Sequence, residues 1–156
     1  MALGAAFVVG GAATLISSPS ILQLMSICAS PTMIEATFRA AELHWQPVPD
    51  ERLEEWRERF TSDGREVHVV AWQQTDREGA DSLAFWIAPG PGGHRACYYS
   101  TSSPDGLLEA LSEQFGTPVN LDKHDFGTTA YWAHNLANIT FSQIGSSAVV
   151  NFAKYD

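Results

Sequence analysis

The sequence predicts a two-layer α+β domain, an antiparallel sheet of about six strands packed with helices in the order α-α-βββ-α-βββ. Three observations carry that expectation. The apolar period changes along the chain, from about 3.6 residues in the first predicted helices to about 2 in "REVHVVAWQQ", "DSLAFWIA" and "HRACYYST". The strand-like runs follow one another through short turns such as "PGPGG", which favours antiparallel neighbours over crossovers. The chain is also long and apolar enough to build one core, with 156 residues, 45% of them hydrophobic and 17% charged.

The opening stretch "MALGAAFVVGGAATLI" carries no charged side chain, and the first one in the chain is Glu35. Residues 5–16 match the apolar run of an export signal, about 7–15 residues long, although no basic residue precedes them. Ser17-Ser18-Pro19-Ser20 breaks the run short of the about 20 residues that a membrane span needs. A secretory leader, an anchor and a segment packed into the domain all remain open. The leader is the expectation, with residues 1–29 set apart from a single α+β domain over residues 30–156. An exported protein meets oxidising conditions, so Cys28 and Cys97 are expected to pair. The expected location is periplasmic or extracellular, with membrane contact only through an uncleaved leader.

The elements follow in order. Ser30-Pro31 is a helix start, and Ile34, Phe38 and Ala41 recur at helical spacing as its buried stripe. "HWQPVP" reads as a loop. Asp50 caps a second helix whose stripe is Leu53, Trp56 and Phe60, and Asp63-Gly64 ends it. Three strands follow. In "SSPDGLLEALSEQFGTP", Ser103 caps, Pro104 takes the first position, and Leu107, Leu108, Leu111 and Phe115 form the buried face. Gly116 and Pro118 end that helix. Three more strands are expected at 128–133, 138–144 and 148–155. "AELHWQPV" and "SEQFGTPV" both close a helix with the same Glu and Pro-Val spacing, a trace of internal duplication.

The stretch "LLEALSEQFGTP", the Trp-bearing strand after it, "NITFSQIG" and the final "AVVNFAKYD" resemble a pattern in many small exported bacterial proteins. In these a helix ending E-x-[FY]-G-x-P precedes two or three amphipathic strands. The likeness covers residues 104–156. It implies an exported antiparallel α+β module, usually of unassigned function, and supplies no catalytic residues.

Charge and motifs narrow the function classes. The formal net charge is −9 and the nine basic residues are scattered, so no basic stripe exists to neutralise a phosphate backbone, and nucleic acid is excluded as a partner. No G-x-S-x-G, H-E-x-x-H or dinucleotide fingerprint occurs, and no cofactor is expected. "PGPGGHR" joins two strands instead of opening a helix, and therefore reads as a hairpin turn. His68, Trp72 and Trp86 are expected on strand faces opposite the Val/Leu/Phe/Ile core set, with Tyr99 and Trp132 joining them according to register. An open face of that kind suits a protein or a glycan, because large aromatics dominate interface energetics. The alternative is that a helix or the N-terminal segment covers it. Asp122, His124 and Asp125 in "DKHDFG" set an imidazole between carboxylates, which suits a metal ion or a tuned base if all three converge. Otherwise that stretch is a polar loop. The expectation is an exported, non-enzymatic binding module. The alternatives are a small hydrolase using the Asp122–Asp125 loop and a structural envelope component held at the membrane.

Overall fold

A computed structural model describes residues 19–61, 66–74, 81–135 and 137–155 of the chain. Residues 1–18, which hold most of the expected leader, lie outside the described residues, as does the Asp63-Gly64 helix stop. The α+β class and the antiparallel pairing hold, but among the described residues four helices and eight strands replace the expected three and about six. The helices are α1 (Ile21–Cys28), α2 (Met33–Glu42), α3 (Asp50–Phe60) and α4 (Leu107–Phe115). The strands are β1 (Gln46–Pro47), β2 (His68–Gln74), β3 (Asp81–Ala88), β4 (His94–Thr101), β5 (Asn120–His124), β6 (Gly127–His134), β7 (Ala137–Ile144) and β8 (Ser147–Tyr155). They form one sheet in the order β1-β2-β3-β4-β8-β7-β6-β5, antiparallel throughout.

The additional elements have local causes. Helix α1 falls inside the stretch set apart as a leader. Ser20 caps it, accepting from the Gln23 amide at 3.2 Å, while the Gln23 side chain accepts from the Ser20 amide at 2.9 Å. Its Ile21, Leu24 and Ile27 are buried in the domain's core, so α1 packs as part of the domain. Strand β1 is only two residues long and contains a proline, which is why it reads as loop. All five residues of β5 are exposed, so no apolar alternation marks it.

Two helices begin later than their cap motifs suggest. Thr32 caps α2, accepting from the Glu35 amide at 3.2 Å. The Ser103-Pro104 motif instead forms a turn in which the Leu107 amide bonds to the Pro104 carbonyl, and α4 begins after Gly106, whose φ is 76°. Helix α2 also turns an unexpected face inward. Ala36 and Ala40 are fully buried, whereas Ile34 and Phe38 are 72% and 69% exposed.

The sheet has a core on each face. The larger one lies beneath α1, α2 and α4 and takes two adjacent cross-strand rows. One row runs Trp72, Leu83, Tyr99, Val150, Phe141, Ala130; the other runs Val70, Phe85, Cys97, Phe152, Ile139, Trp132. Read from its far end, the second row repeats the character of the first, tryptophan with tryptophan, Leu83 with Ile139, Tyr99 with Phe152. A pseudo-twofold axis therefore passes through the Tyr98–Asn151 pair at the centre of the β4–β8 ladder. The unit α2-β1-β2-β3-β4 is repeated as α4-β5-β6-β7-β8. The Pro-Val pairs found in the sequence do the same job in each half. The Val48 amide bonds to the carbonyl of Ala71, before Trp72, at 2.9 Å, and the Val119 amide bonds to that of Tyr131, before Trp132, at 2.8 Å.

Among the described residues, helices α1 and α3 have no counterpart, and α3 is inserted within the first repeat. Helix α3 packs on the other face of the sheet, where Leu53 and Trp56 meet Val48, Ala71, Ala84 and Tyr98, and Trp56 also packs against Val69, Trp86 and Ala96. The corresponding face of the second half carries Thr129, Tyr131, Asn138, Thr140 and Ser142, which are half-buried or exposed, and has no helix over it among the described residues.

Candidate functional site

The structure places four of the five aromatic-face candidates inside the protein. Trp72 pairs with Leu83 on the helix-covered face and is 1% exposed; Tyr99 and Trp132 lie in the same core at 2% and 1%. Trp86 occupies the opposite face but is packed against Val69, Ala96 and Trp56 beneath α3. Only His68 is exposed, at the start of β2, with its Nε2 3.6 Å from Glu66. The open aromatic face expected from the sequence is thus corrected. Both faces of the β2–β3 hairpin are covered, so apolar residues fill both and alternation cannot separate core from surface.

The acidic loop is corrected as well. Asp122 and His124 sit on the exposed edge strand β5, and Asp125 lies in the turn that follows. Among the described residues no group of three or more His, Cys, Asp or Glu side chains is placed to hold a metal ion. The His124 ring instead lies tilted beside that of Phe126, with ring centroids 6.5 Å apart and planes inclined at 51°.

The cysteines are brought together. Cys28, at the end of α1, and Cys97, in the middle of β4, form a disulfide with their Cα atoms 5.3 Å apart. Cys97 is fully buried. The bond ties α1 to the central ladder of the sheet. No described helix is long and apolar enough to cross a membrane.

The candidate site that sequence reasoning missed lies on α2. Ile34 and Phe38, one helical turn apart, stand outward and frame a groove of about 400 Å³ with Met33, Thr37 and Val70 of β2. Leu22 of α1, 65% exposed, adds to the apolar surface of the helical layer. The internal repeat supplies a control for this surface. When Glu42 is aligned with Glu113, the buried Ala40 falls on the buried Leu111, while Ile34 and Phe38 fall on Asp105 and Glu109, both exposed. Asp105 lies in the turn before α4, so the helical equivalence holds at Glu109, where the fold accepts a carboxylate in place of Phe38. What could have revealed the groove was Ala36 and Ala40, one turn apart in "EATFRAA": small residues let a helix approach the sheet closely, and they leave the larger apolar side chains for another purpose.

No protein-family model, curated protein or solved structure matches this chain.

Proposed function

We propose that the protein is an exported, disulfide-braced binding module that docks an apolar segment of a protein partner in the α2–β2 groove. The observation that carries this reading is the outward placement of Ile34 and Phe38, the second of which falls where the helix of the second repeat has Glu109. Large apolar side chains exposed together lose contact with water only when something covers them, and burying one stabilises by about 1.5–3 kcal/mol. The groove suits a polypeptide better than a sugar. Its described lining offers one polar side chain, Thr37, whereas a glycan needs several converging hydrogen-bond partners. Export is supported by the Cys28–Cys97 bond, since disulfides persist in oxidising compartments.

The test is a photo-crosslinking side chain placed at position 37 in cells that make the protein, with position 140 on the polar sheet face as control. Adducts to another polypeptide from position 37, lost in Phe38→Glu and absent from position 140, are expected. Equal labelling from both positions, or none from position 37, rejects the groove. Fractionation of the same cells checks export, which fails if the natural protein is cytoplasmic with both thiols free.

A further inference from the structure

The two edges of the sheet are built differently. Edge strand β1 is two residues long, contains Pro47, and gives way to α3 at Asp50. A short strand with a proline is an ordinary way of blunting an edge. In the second repeat Val119 takes the place of Val48, and the chain stays on the edge for five more residues as β5, none of them proline. All five are exposed, and among the described residues β5 pairs only with β6. Its Leu121 continues the first core row beyond Ala130 and is 46% exposed, and Val119 just before the strand is 71% exposed. A row of the core thus ends in water, at a strand whose outer N–H and C=O groups are open to another strand.

We infer that β5 pairs with β5 of a second copy of this chain, antiparallel, about a twofold axis at Leu121. Residues directly opposite on an antiparallel ladder share a face, so the axis must pass through a pair of identical residues. An axis at Asp122 sets two carboxylates against each other, and one at Lys123 does the same with two ammonium groups. An axis at either end of the strand, Asn120 or His124, overlaps the two strands by a single residue. The Leu121 axis has none of these faults. Leu121 meets its own copy and joins the two cores. Asn120 faces the Asp122 carboxylate of the second copy, to which its amide can donate, and symmetry makes that contact twice. Val119 lies beside the alkyl stem of Lys123. Charges on an edge strand ordinarily deter pairing; here they select one register. This self-complementarity is what favours a second copy over an unrelated strand. The contact lies toward the other edge of the sheet from the α2 groove and does not depend on it.

The test is analytical ultracentrifugation of the full, oxidised chain across a concentration series that reaches the millimolar range. A reversible monomer–dimer equilibrium is expected, and the β5 amides, quick to exchange in dilute monomer, should slow as dimer forms. Leu121→Lys, at an exposed position, puts two ammonium groups on the axis and should weaken dimerisation by about tenfold or more while the monomer keeps its circular dichroism spectrum. Phe38→Glu should leave dimerisation unchanged. The register is read from added thiols, since both native cysteines are bonded. Leu121→Cys should form a disulfide-linked dimer under mild oxidation. Asp122→Cys should not, because its two copies are offset along the ladder beyond the reach of a disulfide. A monomer at every concentration, a dimer indifferent to Leu121→Lys, a dimer abolished by Phe38→Glu, or faster linking from position 122 than from 121 overturns the inference. So does linking of the Leu121→Cys chain, in cells that make it, to another polypeptide in place of itself.

Discussion

At the scale of single residues, two tryptophans with similar burial hold different amounts of the structure. Trp132 donates from Nε1 to the Gly116 carbonyl at 2.8 Å, tying β6 to the end of α4. Trp45, packed edge-on against Tyr99 with ring centroids 6.4 Å apart, has no hydrogen-bond partner for its Nε1 among the described residues. Trp132→Phe should therefore cost about 1–2 kcal/mol beyond Trp45→Phe, because only the first leaves a carbonyl unpaired. Urea denaturation of the two variants measures the difference. Gly127 is a tighter constraint. A β-carbon there would lie 2.0 Å from the Gln143 carbonyl oxygen, so β6 and β7 cannot keep their spacing around a side chain. Gly127→Ala should lower stability by about 1–3 kcal/mol, and a melting point equal to wild type would refute the close approach. The burial of Trp72, Tyr99 and Trp132 was illegible for a related reason. Parity along a strand says which residues share a face, but the sharing of Trp72 with Leu83 depends on cross-strand register, which no single strand encodes.

At the scale of elements, α1 depends on the disulfide and α2 on its alanines. Opening the Cys28–Cys97 link, whose partners are 69 positions apart, removes a constraint on the unfolded chain worth about 4 kcal/mol in the loop-entropy picture. A Cys28→Ser/Cys97→Ser protein should be destabilised by about 2–5 kcal/mol, with α1 amides losing protection from hydrogen exchange before those of β4 and β8. Simultaneous loss of protection in all three would mean that α1 is held by packing alone. By contrast, Ile34→Glu/Phe38→Glu should alter stability by less than about 1 kcal/mol, because both side chains stand in water and the second repeat carries Glu109 at the position of Phe38. A large loss would place both residues in the core and remove the argument for a docking groove. Helices α2, α3 and α4 and six of the strands were legible from period, whereas the expected caps Ser30, Asp50 and Ser103 give way to Thr32, Pro49 and Gly106. Strands β1 and β5 were not, since two residues are too short for a period and five exposed residues have none. The inward stripe of α2 was misread because hydropathy ranks Ile and Phe above Ala, whereas close approach to a sheet favours Ala.

At the scale of the whole molecule, the pseudo-twofold axis makes the β4–β8 ladder the joint between the repeats, with three strands on either side of it. Its amides should exchange most slowly, at the rate of global unfolding, while those of β5, exposed along its whole length, should exchange first among the strands. Hydrogen-exchange mass spectrometry separates these. Faster exchange in β4 than in β6 would show that the halves open independently. The trace of duplication was visible in "AELHWQPV" and "SEQFGTPV", but its meaning was not, because α3 interrupts one repeat and the loops differ in length.

The position of the cysteines in this duplicated plan has a consequence for how the chain is made. Both sulfurs lie in the amino-terminal half, and the covalent ring they close contains α2, β1, α3, β2 and β3. A polypeptide emerging amino end first has both thiols available before α4 and β5–β8 have appeared. Oxidation can thus set the first half in place as a template, and the second half completes itself against the waiting edge of β4.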